Sequence, residues 1–260
     1  MKKPIAIIAG EPNSISSEII FKSWKLKKTF KHKSFIVIGS IQLLNAQKKK
    51  LKYKIPIKQL NHNFKKKDLI SKKLLVYDIK FSQKLAFEKT SSKSNNYIFE
   101  CFKSALKLVK EKKIIGIINC PVIKELLFKK KYEGITEYLG KKSRTAGNEV
   151  MLIYNKKLAV SPLTTHIPLS LVSKKINKIK IIKKIKTINI FYKKYFNKRP
   201  KIGILGLNPH NLYKQKNTHE NKIILPAIKK IRKSGINVIG PISTDTSFMN
   251  IDKNKFDVIF

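Results

Sequence analysis

What the sequence lacks excludes several classes of protein. No apolar run in its 260 residues reaches the roughly 18–20 residues that a transmembrane helix requires. The first apolar segment breaks at Gly10, too early for a signal peptide, and no cleavage pattern follows. Two cysteines, Cys101 and Cys120, provide neither a disulfide framework nor the spacing of a metal site. We therefore expect a cytoplasmic protein with buried thiols and no membrane partner.

Arginine is scarce, although the chain is strongly basic. Only three of the 58 Lys and Arg residues are arginine, and the formal net charge at pH 7 is +43. Base recognition and bidentate phosphate binding favour arginine. The lysines are spread along the chain beside abundant isoleucine and asparagine, which indicates a general compositional bias. We expect weak, salt-sensitive attraction to polyanions and no specific nucleic-acid binding.

Short apolar runs alternate with helical patterns along the whole chain. Hydrophobic residues make up 42% of the sequence, enough for a sizeable core and against wholesale disorder. Several runs are continuous Ile, Val and Leu, as in strands covered on both faces. The alternation predicts an α/β fold with a mostly parallel sheet. The predicted strands are residues 5–9, 34–39, 73–79, 114–119, 150–154, 158–161, 201–207, 236–240 and 256–260, and the main predicted helices are 95–112, 174–195 and 220–233.

Two of the five histidines lie just past the ends of predicted strands. His166 follows the apolar run 158–165, and His210 follows the run 202–209. The carboxyl ends of parallel strands form the edge at which α/β proteins assemble their sites. Because neutral imidazole binds divalent cations readily, His166 and His210 are candidate metal ligands. Two ligands do not complete a metal site, and the spacing identifies no third.

A second polar cluster follows the predicted strand 236–240. Asp245 and Thr246 lie a few residues beyond Gly240 and Pro241. At such a position Asp245 could orient a substrate or transfer a proton. The alternative is a turn stabilised by the aspartate side chain.

Together these segments resemble the 4-hydroxythreonine-4-phosphate dehydrogenase family of pyridoxal phosphate biosynthesis. The match follows the same order over nearly the whole chain, and the two histidine-bearing motifs are its most specific parts. The matching segments are Gly10-Glu11-Pro12 with Ser17-Glu18-Ile19, Cys120-Pro121-Val122 with Lys124, Gly134-Ile135-Thr136-Glu137, Thr164-Thr165-His166-Ile167-Pro168, Gly206-Leu207-Asn208-Pro209-His210, and Gly240-Pro241 with Asp245-Thr246 and Phe248.

The resemblance implies a fold, a reaction and a set of site residues. It implies the two-lobed isocitrate/isopropylmalate dehydrogenase-like fold and a homodimer. Here residues 1–260 would form one dehydrogenase unit of two interleaved lobes, with the lobe boundary at about 120–150. It further implies NAD-dependent oxidation and decarboxylation of 4-phosphooxy-L-threonine to 3-amino-2-oxopropyl phosphate. His166 and His210 match two of three histidines that hold a divalent metal (zinc, magnesium or cobalt), and Thr136 matches a substrate-binding position.

The chain departs from the family pattern at two important points. The third metal-binding histidine of the family follows the strand that ends here at Phe260, so we expect a chain that is incomplete at its C-terminus and has little activity by itself. Ile135 stands where the family has a histidine, and it cannot form a hydrogen bond to a substrate. A related dehydrogenase of 4-phospho-threonate or 4-phospho-erythronate, or a catalytically inactive relative, therefore remains an alternative.

Overall fold

The computed structural model describes residues 3–30, 34–129, 131–132, 134–208, 217–249 and 256–260. The chain divides into two compact units, Met1–Tyr132 and Glu133–Phe260. Each unit is built on a five-stranded sheet whose strands are mostly parallel, which confirms the predicted α/β fold. Among the described residues, no helix has both the length and the apolar character that crossing a membrane requires.

The first unit has an entirely parallel sheet with the strand order β3-β4-β2-β1-β5. The central strand β2 is buried throughout, as its uninterrupted apolar sequence predicts. Residues of α3 at helical spacing, including Ile98, Cys101 and Phe102, are buried in the core. The elements are β1 (Ile5–Ile8), α1 (Ser16–Lys25), β2 (Phe35–Gly39), α2 (Ile41–Lys50), β3 (Ile57–Leu60), β4 (Leu74–Asp78), α3 (Asn95–Lys110), β5 (Gly116–Asn119) and α4 (Lys124–Phe128), with short 3-10 helices at Lys27–Thr29, Lys66–Leu69 and Ser92–Ser94.

The second unit has the strand order β6-β7-β10-β8-β9. Its edge strand β6 pairs antiparallel with β7, and the other pairs are parallel. Isoleucines of α7 and α8 form much of the core, among them Ile185, Ile228 and Ile231. The elements are α5 (Ile135–Lys142), β6 (Ile153–Tyr154), β7 (Ala159–Val160), α6 (Leu169–Lys175), α7 (Lys178–Phe191), a π-helix at Tyr192–Phe196, β8 (Ile202–Leu205), a π-helix at Glu220–Ile224, α8 (Leu225–Lys233), β9 (Val238–Ile242) and β10 (Val258–Ile259).

The helical pattern predicted over residues 174–195 corresponds to more than one element. The helix α6 ends at Lys175, and α7 begins at Lys178. Between them the Asn177 side chain accepts a hydrogen bond from the Lys180 amide at 2.8 Å and caps α7. The prediction of one continuous helix is therefore wrong, because a local side-chain cap interrupts the apolar periodicity.

Both cysteine thiols are buried, as expected from the sequence. Burial raises the pKa of Cys101 strongly, and it raises the pKa of Cys120 from 9.0 to about 11. Because these pKa values lie above the unfolded one, the protonated thiols stabilise the fold below about pH 9. The contribution of Cys120 is lost as the pH rises through about 11, and that of Cys101 is lost at higher pH.

Glycine is required at position 240, where β9 approaches β8. Gly240 has φ +154°, and a Cβ atom there would lie 2.4 Å from the Ile204 carbonyl oxygen. The obstacle is backbone, so no side-chain rotation relieves the clash. The glycine of the Gly240-Pro241 segment is thus explained by the packing of two neighbouring strands.

We predict that the thiols of the folded protein resist alkylation. At pH 8 the thiolate population of Cys101 and Cys120 is small and both sulfurs are buried, so iodoacetamide should react with neither. Mass spectrometry after labelling checks this, and both sites should become labelled in urea. Rapid labelling of Cys120 without urea would contradict its burial.

We predict that Gly240→Ala lowers the free energy of unfolding by about 1–3 kcal/mol, because the new methyl group collides with the β8 backbone. Urea denaturation measures the change. Gly116→Ala is the matched control, since a Cβ atom at Gly116 meets nothing within 4 Å. Equal stability of the two variants would contradict this account of Gly240.

Candidate active site

Polar segments meet at the carboxyl edge of the second sheet. The Ser161 amide, just after β7, donates to the Ile259 carbonyl at 2.9 Å, and the Leu205 amide at the end of β8 donates to the Phe260 carbonyl at 2.8 Å. The Thr244 hydroxyl, after β9, donates to the Gly206 carbonyl at 2.9 Å. The segments that follow β7, β8 and β9 therefore emerge side by side, as parallel pairing requires.

An apolar cleft of about 170 Å³ lies at this edge. Thr164 from the segment after β7 and Leu207 from the segment after β8 both line it, so the two histidine-bearing motifs border the same space. The remaining lining residues are mostly aliphatic: Leu163, Val172, Ile176, Ile181, Ile204, Leu205, Gly206, Ile224 and Phe260.

His166 has an unusual backbone conformation. Its φ is 56°, in the left-handed region that non-glycine residues seldom adopt. The other described non-glycine residues with positive φ, which are Lys52, Lys112, Lys129, Arg144 and Asn197, each follow the end of a helix. His166 instead lies in the loop between β7 and α6. Backbone outliers of this kind, away from helix ends, are found at functional sites.

The His166 side chain is exposed, and no hydrogen bond joins its imidazole to another residue within the part of the chain that the structure describes. An accessible imidazole at the strand ends fits the role of a metal ligand. His210 lies outside the described residues, so its pairing with His166 stays a prediction. In the described ranges, no group of three or more His, Cys, Asp or Glu side chains is arranged to hold a metal ion.

Asn208 precedes His210 by two positions, and Glu220 binds it. The fully buried Glu220 carboxylate accepts hydrogen bonds from the Leu207 amide at 2.8 Å and the Asn208 amide at 2.9 Å. Burial acts to raise the pKa of Glu220, but the hydrogen bonds from Asn208 and Leu207 outweigh it and lower the pKa below its usual value. The carboxylate is therefore ionised, and the stability it contributes is lost only as the pH falls through that lowered pKa.

Sequence reasoning did not identify Glu220 as a site residue. An acidic residue at the start of a predicted helix is ordinarily explained by the helix dipole. The structure shows that its carboxylate instead binds a segment 12–13 residues earlier in the chain. A possible signal was the position of this acid shortly after the Asn-Pro-His motif, in a chain with few acidic residues.

Asp245 and Thr136 are both solvent-exposed. The Ser243 hydroxyl donates to the Asp245 carboxylate in the turn that follows β9. Thr136 lies in the first turn of α5, directly after Ile135. Their catalytic and substrate-binding roles stay predictions.

Parallel sheets with polar loops at the strand ends are the arrangement in which α/β enzymes assemble their active sites. Residues 31–260 match the family described as Pyridoxal phosphate biosynthetic protein PdxA, and the chain belongs to this family. It is an oxidoreductase of the dehydrogenase type, as the resemblance implied.

Individual relatives agree with the family match. A 4-hydroxythreonine-4-phosphate dehydrogenase from Sulfurihydrogenibium sp. is 36% identical over 94% of this chain and 75% of its own length. A protein from Oceanobacillus iheyensis, provisionally named D-threonate 4-phosphate dehydrogenase, is 33% identical over 99% of this chain and 79% of its own length. The crystal structure of 4-hydroxythreonine-4-phosphate dehydrogenase from Klebsiella pneumoniae has a TM-score of 0.86 and 27% identity, over 99% of this chain and 80% of that one. The expected incompleteness at the C-terminus stays a prediction.

Proposed function

We propose that the protein oxidises 4-phosphooxy-L-threonine with NAD and that the product loses carbon dioxide to give 3-amino-2-oxopropyl phosphate, in pyridoxal phosphate biosynthesis. The observation that carries the proposal is the family match over residues 31–260, together with a 36% identical dehydrogenase over 94% of the chain. Within the site, the exposed His166, two residues after the cleft residue Thr164, supports it. The net charge of +43 favours the approach of an anionic, phosphorylated substrate.

His166 and His210 would hold a divalent metal ion, which is zinc, magnesium or cobalt in this proposal. Imidazole nitrogen suits zinc and cobalt particularly well. When bound, such an ion stabilises the negative charge that develops on a substrate oxygen as hydride leaves the neighbouring carbon. His166 has a left-handed backbone, and its exposed side chain is accessible for this role.

Asp245 and Thr136 act on the substrate in this proposal. The Asp245 carboxylate is exposed and oriented by the Ser243 hydroxyl, so it can accept a proton in the reaction. The exposed Thr136 hydroxyl, in the first turn of α5, can form a hydrogen bond to the substrate. A homodimer and a cytoplasmic location belong to the proposal, and the two buried free thiols suit a reducing compartment.

We predict that the natural gene product containing residues 1–260 forms NADH from 4-phosphooxy-L-threonine and NAD, and that a chelator abolishes the reaction. His166→Ala should lower kcat/KM by about 100-fold or more, because a ligand is lost. Absorbance of NADH and metal content measure the two effects. His62→Ala is the matched control, since His62 is exposed in the first unit and has no proposed role. A metal-free protein that forms no NADH would contradict the proposal.

The D-threonate relative and Ile135 favour a second candidate, a dehydrogenase of 4-phospho-threonate or 4-phospho-erythronate. Ile135 begins α5 directly before Thr136. A substrate that forms a hydrogen bond to the family's histidine at this position cannot form it with Ile135.

We predict that Ile135→His raises kcat/KM for 4-phosphooxy-L-threonine relative to the two other substrates by about tenfold, because the imidazole restores a donor. NADH assays with all three substrates, on the natural protein and the variant, measure the ratios. An unchanged ratio would remove Ile135 as the determinant. Metal binding without turnover of any of the three would favour a catalytically inactive relative.

A further inference from the structure

The buried carboxylate of Glu220 has no role in the proposed reaction, yet its contacts are concentrated on one segment. Its Oε1 atom accepts hydrogen bonds from the Leu207 amide at 2.8 Å and from the Asn208 amide at 2.9 Å. The Asn208 side-chain Nδ2 donates to Oε1 at 3.1 Å and to Oε2 at 3.0 Å. One carboxylate thus binds the main chain and the side chain of the residue that precedes Pro209 and His210.

The segment needs such a partner because it has left the sheet. The Leu205 and Gly206 amides still bind carbonyls of the neighbouring strands, at 2.8 Å to Phe260 and 3.0 Å to Ile242. Leu207 and Asn208 lie beyond these strand hydrogen bonds, and their amides would lack partners without Glu220.

Glu220 itself is held rigidly. It is 0% exposed and begins the π-helix Glu220–Ile224, whose Ile224 belongs to the core cluster. The π-helix continues into α8, where Ile228 and Ile231 are also buried. Insertions of π-helical geometry into helices occur frequently at functional sites. The carboxylate is therefore connected through a continuous, packed helix to the core of the second unit.

We propose that Glu220 is a positioning residue: it sets the direction of Leu207 and Asn208, the last described residues of the histidine-bearing motif, as the chain leaves β8, and metal binding by that motif depends on this contact. Burying a carboxylate carries a large desolvation cost, which four hydrogen bonds to one short segment offset. A purely apolar contact could close the core at this point but could not fix the orientation of the two amides. The metal-binding part of this inference rests on the proposed function, whereas the binding of the segment by Glu220 does not.

The first test concerns the metal-free protein. Glu220→Ala and Glu220→Asp should speed hydrogen exchange of the Leu207 and Asn208 amides by about tenfold, because the acceptor is removed or is one methylene too short. Glu220→Gln should keep most of the protection, since its carbonyl oxygen can still accept from both amides. NMR measures the exchange, and Glu100→Ala, which removes an exposed glutamate of the first unit, is the control. Unchanged exchange in Glu220→Ala would overturn the inference.

The second test separates positioning from a merely structural role. We expect the affinity for Co²⁺, measured by titration calorimetry, to fall about tenfold or more in Glu220→Ala and Glu220→Asp and to be largely restored in Glu220→Gln. If Glu220→Ala does not fold, Asn208→Ala takes its place in this test. It removes two of the four hydrogen bonds without removing the buried carboxylate, and it should lower the Co²⁺ affinity by a smaller factor.

The outcomes of the second test are distinct. Faster amide exchange with unchanged Co²⁺ affinity in Glu220→Ala, or in Asn208→Ala if the first variant is unfolded, would overturn positioning. If the natural protein binds no metal while Glu220→Ala still speeds amide exchange, the proposed function fails and the positioning role fails with it, but the binding of Leu207 and Asn208 by Glu220 stands.

Discussion

The parallel pairing of β10 with both β7 and β8 is the constraint on which the candidate site depends. Val258 lies opposite Ala159 on one side and Ile202 on the other, and Val258 is completely buried. Because all three strands run in the same direction, the segments that follow them leave the sheet at one edge. His166 and Asn208 reach the same region for this reason, although many residues separate them in the sequence.

The strong positive charge of the chain is compatible with this arrangement because lysines and isoleucines occupy different faces. In α7, Ile181, Ile185 and Ile188 are buried, while Lys183 and Lys186 are exposed. The periodic pattern of apolar residues survives the excess of lysine, so the core is preserved. Glu220 is an exception to this division, since it is a charged group in the interior, and its cost is offset by hydrogen bonds from a segment that the sheet leaves unpaired.

Strands with uninterrupted apolar sequences could be predicted, and strands with mixed sequences could not. β1 and β2 are covered on both faces, so their sequences are almost wholly apolar. The sequence does not predict β3, because Lys58 and Gln59 are exposed at the edge of the sheet and break the apolar run. The helical pattern over residues 174–195 predicts one helix, because the Asn177 cap depends on a single side-chain conformation that the pattern does not show.

The sequence by itself determined the fold class, the family and the position of His166 in the segment that follows a strand, since each of these depends on local order along the chain. Tertiary structure alone decided the partner of Glu220 and the left-handed backbone of His166. A hydrogen bond between residues 12–13 positions apart leaves no periodic trace in a sequence. It forms because the packing of a strand end against a buried helix brings the two groups within reach of each other.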